Sequence, residues 1–303
     1  MTAERIVIGL DFSDAAVAAA RWAAEQFAPG AELVLVHALD IPRPPSFIAG
    51  RFQPRDEILA SAREGAERRL REFEASALTS SADRTRSIVL EGPAGRALSR
   101  AAAEQDATLI VVGEHGVGDH GHRRGVWGVL GTTADRLVRC SPVPVLVARG
   151  MHRGPPQRLL VPIDDSEVTP RVLEFAARLA ERFDAEVIVL HALSPGLTGA
   201  VHGVSSDRKA DSFRDEYLEQ GERWLADRIE EAGLPAERTT ARVVFGEPRF
   251  EIPAAQERYG ADLVVMGGRG AGAIGRAILG SVAGAALRGT SCPVLVVTDG
   301  GCD

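Results

Sequence analysis

Residues 261–282 read ADLVVMGGRGAGAIGRAILGSV. The apolar run at 262–266 predicts a buried strand, and the glycines after it predict a tight turn. Their spacing is Gly267-x2-Gly270-x9-Gly280, followed by Ser281. Glycines let backbone N–H groups approach an oxyanion closely, and a helix that opens at Gly280 would add an anion-attracting N-terminus. The stretch predicts either an anion site or glycines that serve only tight turns and close packing.

The same pattern occurs earlier in the chain. ATLIVVG (107–113) matches ADLVVMG (261–267), and LVLVHAL (33–39) matches VIVLHAL (187–193). His37 falls on His191 at an offset of 154, and later Pro144 falls on Pro293 at an offset of 149. Ordered matches at a nearly constant offset indicate a tandem duplication.

Each copy alternates apolar, Val/Ile/Leu-rich runs with segments of helical spacing, such as 168–182 and 211–232. This alternation predicts an α/β fold, with a parallel sheet and helices on both faces in each of two domains, 1–150 and 157–303. The Gly/Pro-rich joint is MHRGPPQ (151–157). The predicted strands are 5–10, 32–38, 85–90, 108–112 and 143–148, then 158–163, 186–192, 240–245, 262–266 and 293–298.

Composition narrows the function class. The 303 residues are 45% hydrophobic and 25% charged, which is typical of a globular protein, and the net charge of −7 disfavours nucleic acid and anionic membranes as partners. Three cysteines without a CxxC pair fit a reducing compartment. The N-terminus lacks a signal-peptide pattern, and no apolar run reaches the roughly 18 residues of a membrane span. We therefore expect a cytoplasmic protein.

Almost the whole chain resembles the universal stress protein family, as two tandem copies. The similar features are the Asp after strand 1, the His at the end of strand 2, the Gly-x-Pro turn at 246–248 and the last strand CPVLVV (292–297). In this family the spacing G-x2-G-x9-G-[ST] marks members that bind ATP. The resemblance implies a Rossmann-like, five-stranded parallel sheet of order 3-2-1-4-5, so strands 1 and 4 flank the point where the strand order reverses.

The resemblance also implies an ATP site in the second copy. Asp164 and the backbone of Ile163 and Ala192 would hold the adenine, while Met266 and Gly267 would line the base and ribose. The phosphates would lie on Gly270, Gly280, Ser281 and Val282, and Pro162 and Arg269 complete the candidate set. The counterparts in the first copy are Asp11, Ala38, Val112, Gly113, Gly116, Gly131 and Thr132.

The first copy departs from the motif. Fourteen residues separate Gly116 from Gly131, because five extra residues lie within VGDHGHRRG (117–125). The longer loop either folds over a nucleotide, with Arg123 or Arg124 on the phosphates, or blocks the pocket.

Two other ligand hypotheses compete with ATP. Gly270-x-Gly272-x-x-Gly275, with Asp299 after the next strand, resembles a dinucleotide fingerprint, but it follows the fourth strand of a repeat rather than the first. His115, His120 and His122, beside Glu114 and Asp119, are able to bind zinc, although a solvated loop explains them equally.

Several other residues have structural explanations. We expect His37 and His191 to be hydrogen-bonded structural residues rather than bases. Cys140 and Cys292 read as buried small apolar groups and Cys302 as exposed. The charged stretch 62–74 predicts a solvated helix face.

The sequence thus predicts a stress-response protein that binds ATP, with Mg²⁺ held mainly through phosphate oxygens and water. No acidic or histidine side chain is evidently aimed at a water, so we expect slow hydrolysis at most. The alternatives are an ATP-independent interaction module and an ATP-consuming enzyme of a related fold, and cyclic AMP is a competing ligand. By resemblance, the last strands (143–148 and 294–297) would pair as a pseudo-dimer within the chain; a homodimer and an unknown protein partner stay open.

Overall fold

A computed structural model describes most of the chain in two compact units. The described residues are 4–42, 55–78, 84–116, 130–151, 154–194, 207–270, 279–298 and 300, with only the backbone for 207–214. The first unit runs to Ala148 and the second from Arg149. We keep 1–150 and 157–303 as the proposed domain bounds.

The first unit contains a parallel five-stranded sheet of order β3-β2-β1-β4-β5. Its strands are β1 Arg5–Gly9, β2 Glu32–Leu39, β3 Thr85–Glu91, β4 Leu109–Gly113 and β5 Val145–Ala148. Its helices are α1 Asp14–Trp22, continued by a π-helical turn at Ala23–Phe27, α2 Arg55–Ala77, α3 Ala94–Glu104 and α4 Thr132–Cys140.

The second unit repeats this order as β8-β7-β6-β9-β10. Its strands are β6 Arg158–Pro162, β7 Glu186–Leu193, β8 Thr239–Phe245, β9 Leu263–Gly267 and β10 Val294–Val297. Its helices are α5 Thr169–Phe183, α6 Asp207–Glu231, α7 Pro248–Tyr259 and α8 Ser281–Gly289, with a short 3-10 turn at Ala236–Arg238. The predicted fold class and the 3-2-1-4-5 order are confirmed, and every predicted strand lies within two residues of its observed bounds.

Each sheet forms the core of its unit. Leu159, Leu160 and Val161 of β6 are fully buried although successive side chains of a strand point to opposite faces. Both faces of the sheet are therefore covered, as the continuous apolar runs predicted. Among the residues described, no helix combines the length and the apolar character that crossing a bilayer requires.

The strand order positions the candidate site. β6 lies between β7 and β9, so the residues that follow β6 and β9 emerge side by side at the carboxyl edge of the sheet. Asp164 is the second residue after β6, and Gly268 to Gly270 follow β9. In a doubly wound sheet this edge, where the strand order reverses, is the usual ligand position.

Candidate functional site

A cavity of about 500 Å³ opens at the carboxyl edge of the second unit. Its volume is in the usual range for small-molecule sites. All eleven second-copy residues that the sequence singled out line this cavity: Pro162, Ile163, Asp164, Ala192, Met266, Gly267, Arg269, Gly270, Gly280, Ser281 and Val282. The lining also includes Val168, Thr169, Val172, Leu190, Pro248, Ile252, Leu279 and Ala283.

The loop after β6 holds Asp164 in place. Its Oδ1 accepts a hydrogen bond from Ser166 Oγ at 2.5 Å, and its carbonyl oxygen accepts one from Thr169 Oγ1 at 2.6 Å. Thr169 is buried and begins α5. The carboxylate therefore belongs to a short hydrogen-bonded turn that joins the sheet to the helix.

Ile163, beside Asp164, has both backbone groups engaged. Its N–H donates to Leu190 O at 2.9 Å, and its carbonyl oxygen lies 3.0 Å from His191 Nδ1. Because a carbonyl only accepts, Nδ1 of His191 carries the proton in this pair. His37 makes the equivalent 2.7 Å contact with Leu10 O, as expected of structural histidines.

The opposite side of the cavity is a helix N-terminus. Gly280 donates its N–H to Gly268 O at 3.0 Å and serves as the N-cap of α8, which no side chain caps. Ser281 and Val282 form the first turn, whose N–H groups have no acceptor within a helix. Arg269 lines the same cavity. First-turn N–H groups that have no acceptor among the described residues, the helix dipole and a guanidinium together favour an anion here.

Apolar side chains that were not predicted from the sequence form another wall. Val168 and Val172 lie one helical turn apart near the start of α5, and Leu190 and Ile252 come from other elements. Their apolar character was visible in the sequence, but periodicity does not separate a side chain that lines a cavity from one that fills the core. This wall gives the cavity an apolar part beside its anion-attracting end.

The first unit brings its counterparts to the same edge of its own sheet. Asp11 Oδ1 accepts hydrogen bonds from Ser13 N at 3.0 Å and from Ser13 Oγ at 2.6 Å. Gly131 caps α4 with φ −59° and ψ 144°, against −58° and 145° at Gly280, and Thr132 begins the helix. Ala38, Val112 and Gly113 lie near the carboxyl ends of β2 and β4.

The two edges differ in side chains. Glu114 and His115 occupy the positions of Gly268 and Arg269, and His115 Nδ1 lies 3.8 Å from Glu114 Oε2. The first unit therefore has a carboxylate and an imidazole where the second has a glycine and a guanidinium. The insertion at 117–125, with Arg123 and Arg124, lies outside the described residues.

The aromatic neighbour of the strand-2 histidine also differs. In the first unit it is Phe12, from the loop after β1, whose ring centroid lies 5.0 Å from that of His37. The Cζ atom of Arg69 lies over the Phe12 ring, 4.0 Å from its centroid. In the second unit it is Trp224 of α6, with its ring centroid 4.9 Å from that of His191. The aromatic contact is kept, but it comes from a different element.

The competing ligand hypotheses gain no support from the described residues. His120, His122 and Asp119 lie outside them, as do Gly272, Gly275 and Asp299. Within the described ranges, no group of three or more His, Cys, Asp and Glu side chains could hold a metal ion. The zinc and dinucleotide hypotheses therefore stay untested.

The cysteines behave differently from one another. Cys292 is free and 1% exposed, as predicted. Burial, and to a smaller extent the negative charge of the nearby Asp262 carboxylate, raises the pKa of its thiol to about 12. Cys140 is half-buried and disulfide-bonded, so its prediction as a buried small apolar group is wrong. Cys302 lies outside the described residues.

Comparison with known proteins gives a consistent picture. The sequence model of the "Universal stress protein family" matches residues 2–149 and again 156–298. The "Universal stress protein YxiE" of Bacillus subtilis is 32% identical over 146 residues, which cover 46% of this chain and 97% of that protein. The "Universal stress protein Rv2623" of Mycobacterium tuberculosis is 26% identical over 313 residues, 97% of this chain and 96% of the relative.

Solved structures agree on the fold. The crystal structure of a universal stress protein from Archaeoglobus fulgidus superposes with a TM-score of 0.70 over 99% of this chain and 100% of that one, at 19% identity. At this identity the likeness establishes the fold and nothing finer.

Proposed function

The chain belongs to the universal stress protein family, and from that premise we propose that its second repeat binds ATP and that the protein acts through binding rather than turnover. One observation carries the proposal: a single cavity joins an apolar wall to an uncapped helix N-terminus and an arginine. A nucleotide has the same polarity, with an apolar base at one end and phosphates at the other.

The base end lies by the loop after β6. We assign the adenine to Asp164 and the backbone of Ile163 and Ala192, with Met266 and Gly267 along the base and ribose. The carbonyl oxygen of Ile163 has a second lone pair beside the one that faces His191, so it is able to accept a further hydrogen bond. Met266 is nearly fully buried, and a flat base packs well against its polarizable thioether. The apolar side chains of the wall exclude water from the faces of the base.

The phosphate end lies at the start of α8. Ser281, Val282 and Arg269 line the cavity together, and between them they offer backbone N–H groups, a hydroxyl and a guanidinium. These donors suit phosphate oxygens, which are charged acceptors. Mg²⁺ that accompanies ATP would be held through phosphate oxygens and water, since Asp164 is the one carboxylate among the described lining residues.

The same lining argues for a binding role. No histidine occurs among the described residues that line the cavity, and Asp164 is engaged by Ser166 Oγ. We therefore expect slow hydrolysis at most. A regulatory role requires ATP to bind one conformation or partner complex better than another. The protein partner, the pairing of the last strands of the two repeats and a homodimer stay predictions.

Calorimetric titration tests the proposal. Nucleotide-free protein would be titrated with ATP, ADP, AMP and cyclic AMP, each with and without Mg²⁺. We expect saturable heat with ATP and background turnover by phosphate release. Tighter binding of cyclic AMP than of ATP would show that cyclic AMP is the ligand. Rapid release of phosphate would show that the protein is an enzyme that consumes ATP. No heat with any of the four would favour an ATP-independent interaction module.

A further inference from the structure

The three glycines of the motif Gly267-x2-Gly270-x9-Gly280 differ in how much space surrounds them. A Cβ atom on Gly270 would stand 2.6 Å from Asp164 Oδ2, and one on Gly267 would stand 2.6 Å from Val168 Cγ1. Carbon atoms do not approach neighbours this closely without a shift. A Cβ atom on Gly280 would have its nearest neighbour, Gly268 O, at 3.4 Å, which is ordinary van der Waals contact.

Backbone conformation does not account for Gly280 either. Its φ of −58° and ψ of 145° are open to any L-residue. Serine and asparagine make better N-caps than glycine, so capping does not require glycine at this position. Among the described residues, neither the space around Gly280 nor its backbone conformation explains why this position is a glycine.

We propose that two glycines of the motif are required by the fold and the third by the ligand. Gly270 is required by the Asp164 carboxylate and Gly267 by the start of α5, while Gly280 is the glycine that the ligand requires. The second half rests on the proposed function, because it is a phosphate oxygen close to the Gly280 backbone that would exclude a side chain there. The family resemblance implied that Gly270 contacts the phosphates. We now assign it the role of leaving space for the Asp164 carboxylate.

Asp164 has little freedom to make room for a side chain at position 270. Its Oδ1 is held by Ser166 Oγ, and Thr169 Oγ1 fixes the carbonyl of the same residue. A methyl group at position 270 would therefore displace a carboxylate that is bound to its own loop. The two loops at the switch point of the sheet therefore leave no space for a side chain at position 270.

The first unit repeats the contact independently. A Cβ atom on Gly116 would stand 2.5 Å from Asp11 Oδ2, while Asp11 Oδ1 is held by Ser13. The contact is kept although Glu114 and His115 replace the preceding residues and the following loop is longer. The Asp–Gly contact thus accompanies the fold, whatever the rest of the loop contains.

A thermal double-mutant cycle tests the first half without any ligand. Gly270→Ala should lower Tm by about 3–8 °C in the wild-type background and by far less when Asp164→Ala is also present. Gly116→Ala with Asp11→Ala is the matched cycle in the first unit. Equal effects of Gly270→Ala in both backgrounds, or none in either, would overturn the proposal. If Gly270→Ala does not fold, a folded double variant supports the contact and an unfolded one contradicts it.

Ligand binding tests the second half, with ATP and adenosine as probes. Gly280→Ala should keep the wild-type Tm, weaken ATP roughly tenfold or more, and leave adenosine unchanged, because only the phosphates are affected. Gly270→Ala should weaken ATP and adenosine by the same factor, since it displaces Asp164 at the base end. Unchanged ATP affinity in Gly280→Ala would overturn this half. If the wild type binds neither probe, the proposed function fails and the thermal cycle still decides the Asp–Gly contact.

Discussion

The Nδ1 atom of His191 lies 3.0 Å from the carbonyl oxygen of Ile163, the residue that links β6 to Asp164. This hydrogen bond joins the end of β7 to the loop that carries the base end of the candidate site. The first unit has the same bond between His37 and Leu10. A histidine held in this way connects two strand ends and is not available to accept a proton at Nδ1.

Replacing the histidine should therefore cost stability. His191→Phe keeps a ring against Trp224 but leaves the Ile163 carbonyl without its donor, so we expect a loss of about 1–3 kcal/mol in the free energy of unfolding. Urea denaturation measures it, with His37→Phe as the matched variant in the first unit. Unchanged stability together with lost ATP turnover would instead assign His191 a chemical role.

Gly280→Asp should abolish ATP binding. It places a carboxylate and a side chain where the phosphates are expected, against the N-terminus of α8. Gly65→Asp is a suitable control, because a Cβ atom at Gly65, on α2, would have no neighbour within 4 Å and the added charge is the same. A folded Gly280→Asp protein with wild-type ATP affinity would refute the second-copy site.

Arg269 should contribute to affinity through charge. Arg269→Gln should weaken ATP about tenfold at low salt and less at high salt, because salt screens exposed charges, while adenosine should bind as before. Arg242→Gln, on an exposed part of β8, is the control for the lost charge. An equal loss of ATP and adenosine would show that Arg269 supports the fold of the pocket instead.

Cys292 should make stability depend on alkaline pH. Burial raises the pKa of its thiol from 9.0 to about 12, so the unfolded chain ionises this thiol at a lower pH than the folded chain. The contribution to stability is full below about pH 9 and is lost as the pH rises toward 12, with a slope of at most about 1.4 kcal/mol per pH unit.

Comparing urea unfolding from pH 7 to pH 10.5 in the wild type and in Cys292→Ala isolates this contribution from other titrating groups. The variant should show a flatter decline of stability above pH 9. Identical pH dependence in the two proteins would mean that the thiol is not buried as described.

Much of the fold could be predicted because its signals are local. Apolar runs predicted the ten strands that the described residues contain, and the duplication allowed each element to be identified twice. The charged stretch 62–74 is part of α2, where Ala66, Leu70 and Phe73 are buried and charged side chains cover the exposed face, as predicted.

The relationships across the sheet were harder to predict. Asp164 and Gly270 are far apart in sequence, and only the strand order, which came from the family resemblance, brings their loops together. The aromatic neighbour of the strand-2 histidine is the loop residue Phe12 in the first unit and the helix residue Trp224 in the second. Aligning the two copies does not reveal this difference, because the two residues are not at equivalent positions. Such contacts depend on which helices and strands are neighbours in the fold. The spacing of residues within one segment gives no information about those neighbours.

ATP binding by the second repeat is tested most directly by denaturing the purified protein and identifying the released small molecules by mass, counted per chain. We expect at least one ATP per chain, from the second repeat, and two if the first repeat also binds. No released nucleotide, followed by no heat when ATP and Mg²⁺ are titrated into the protein, would contradict it.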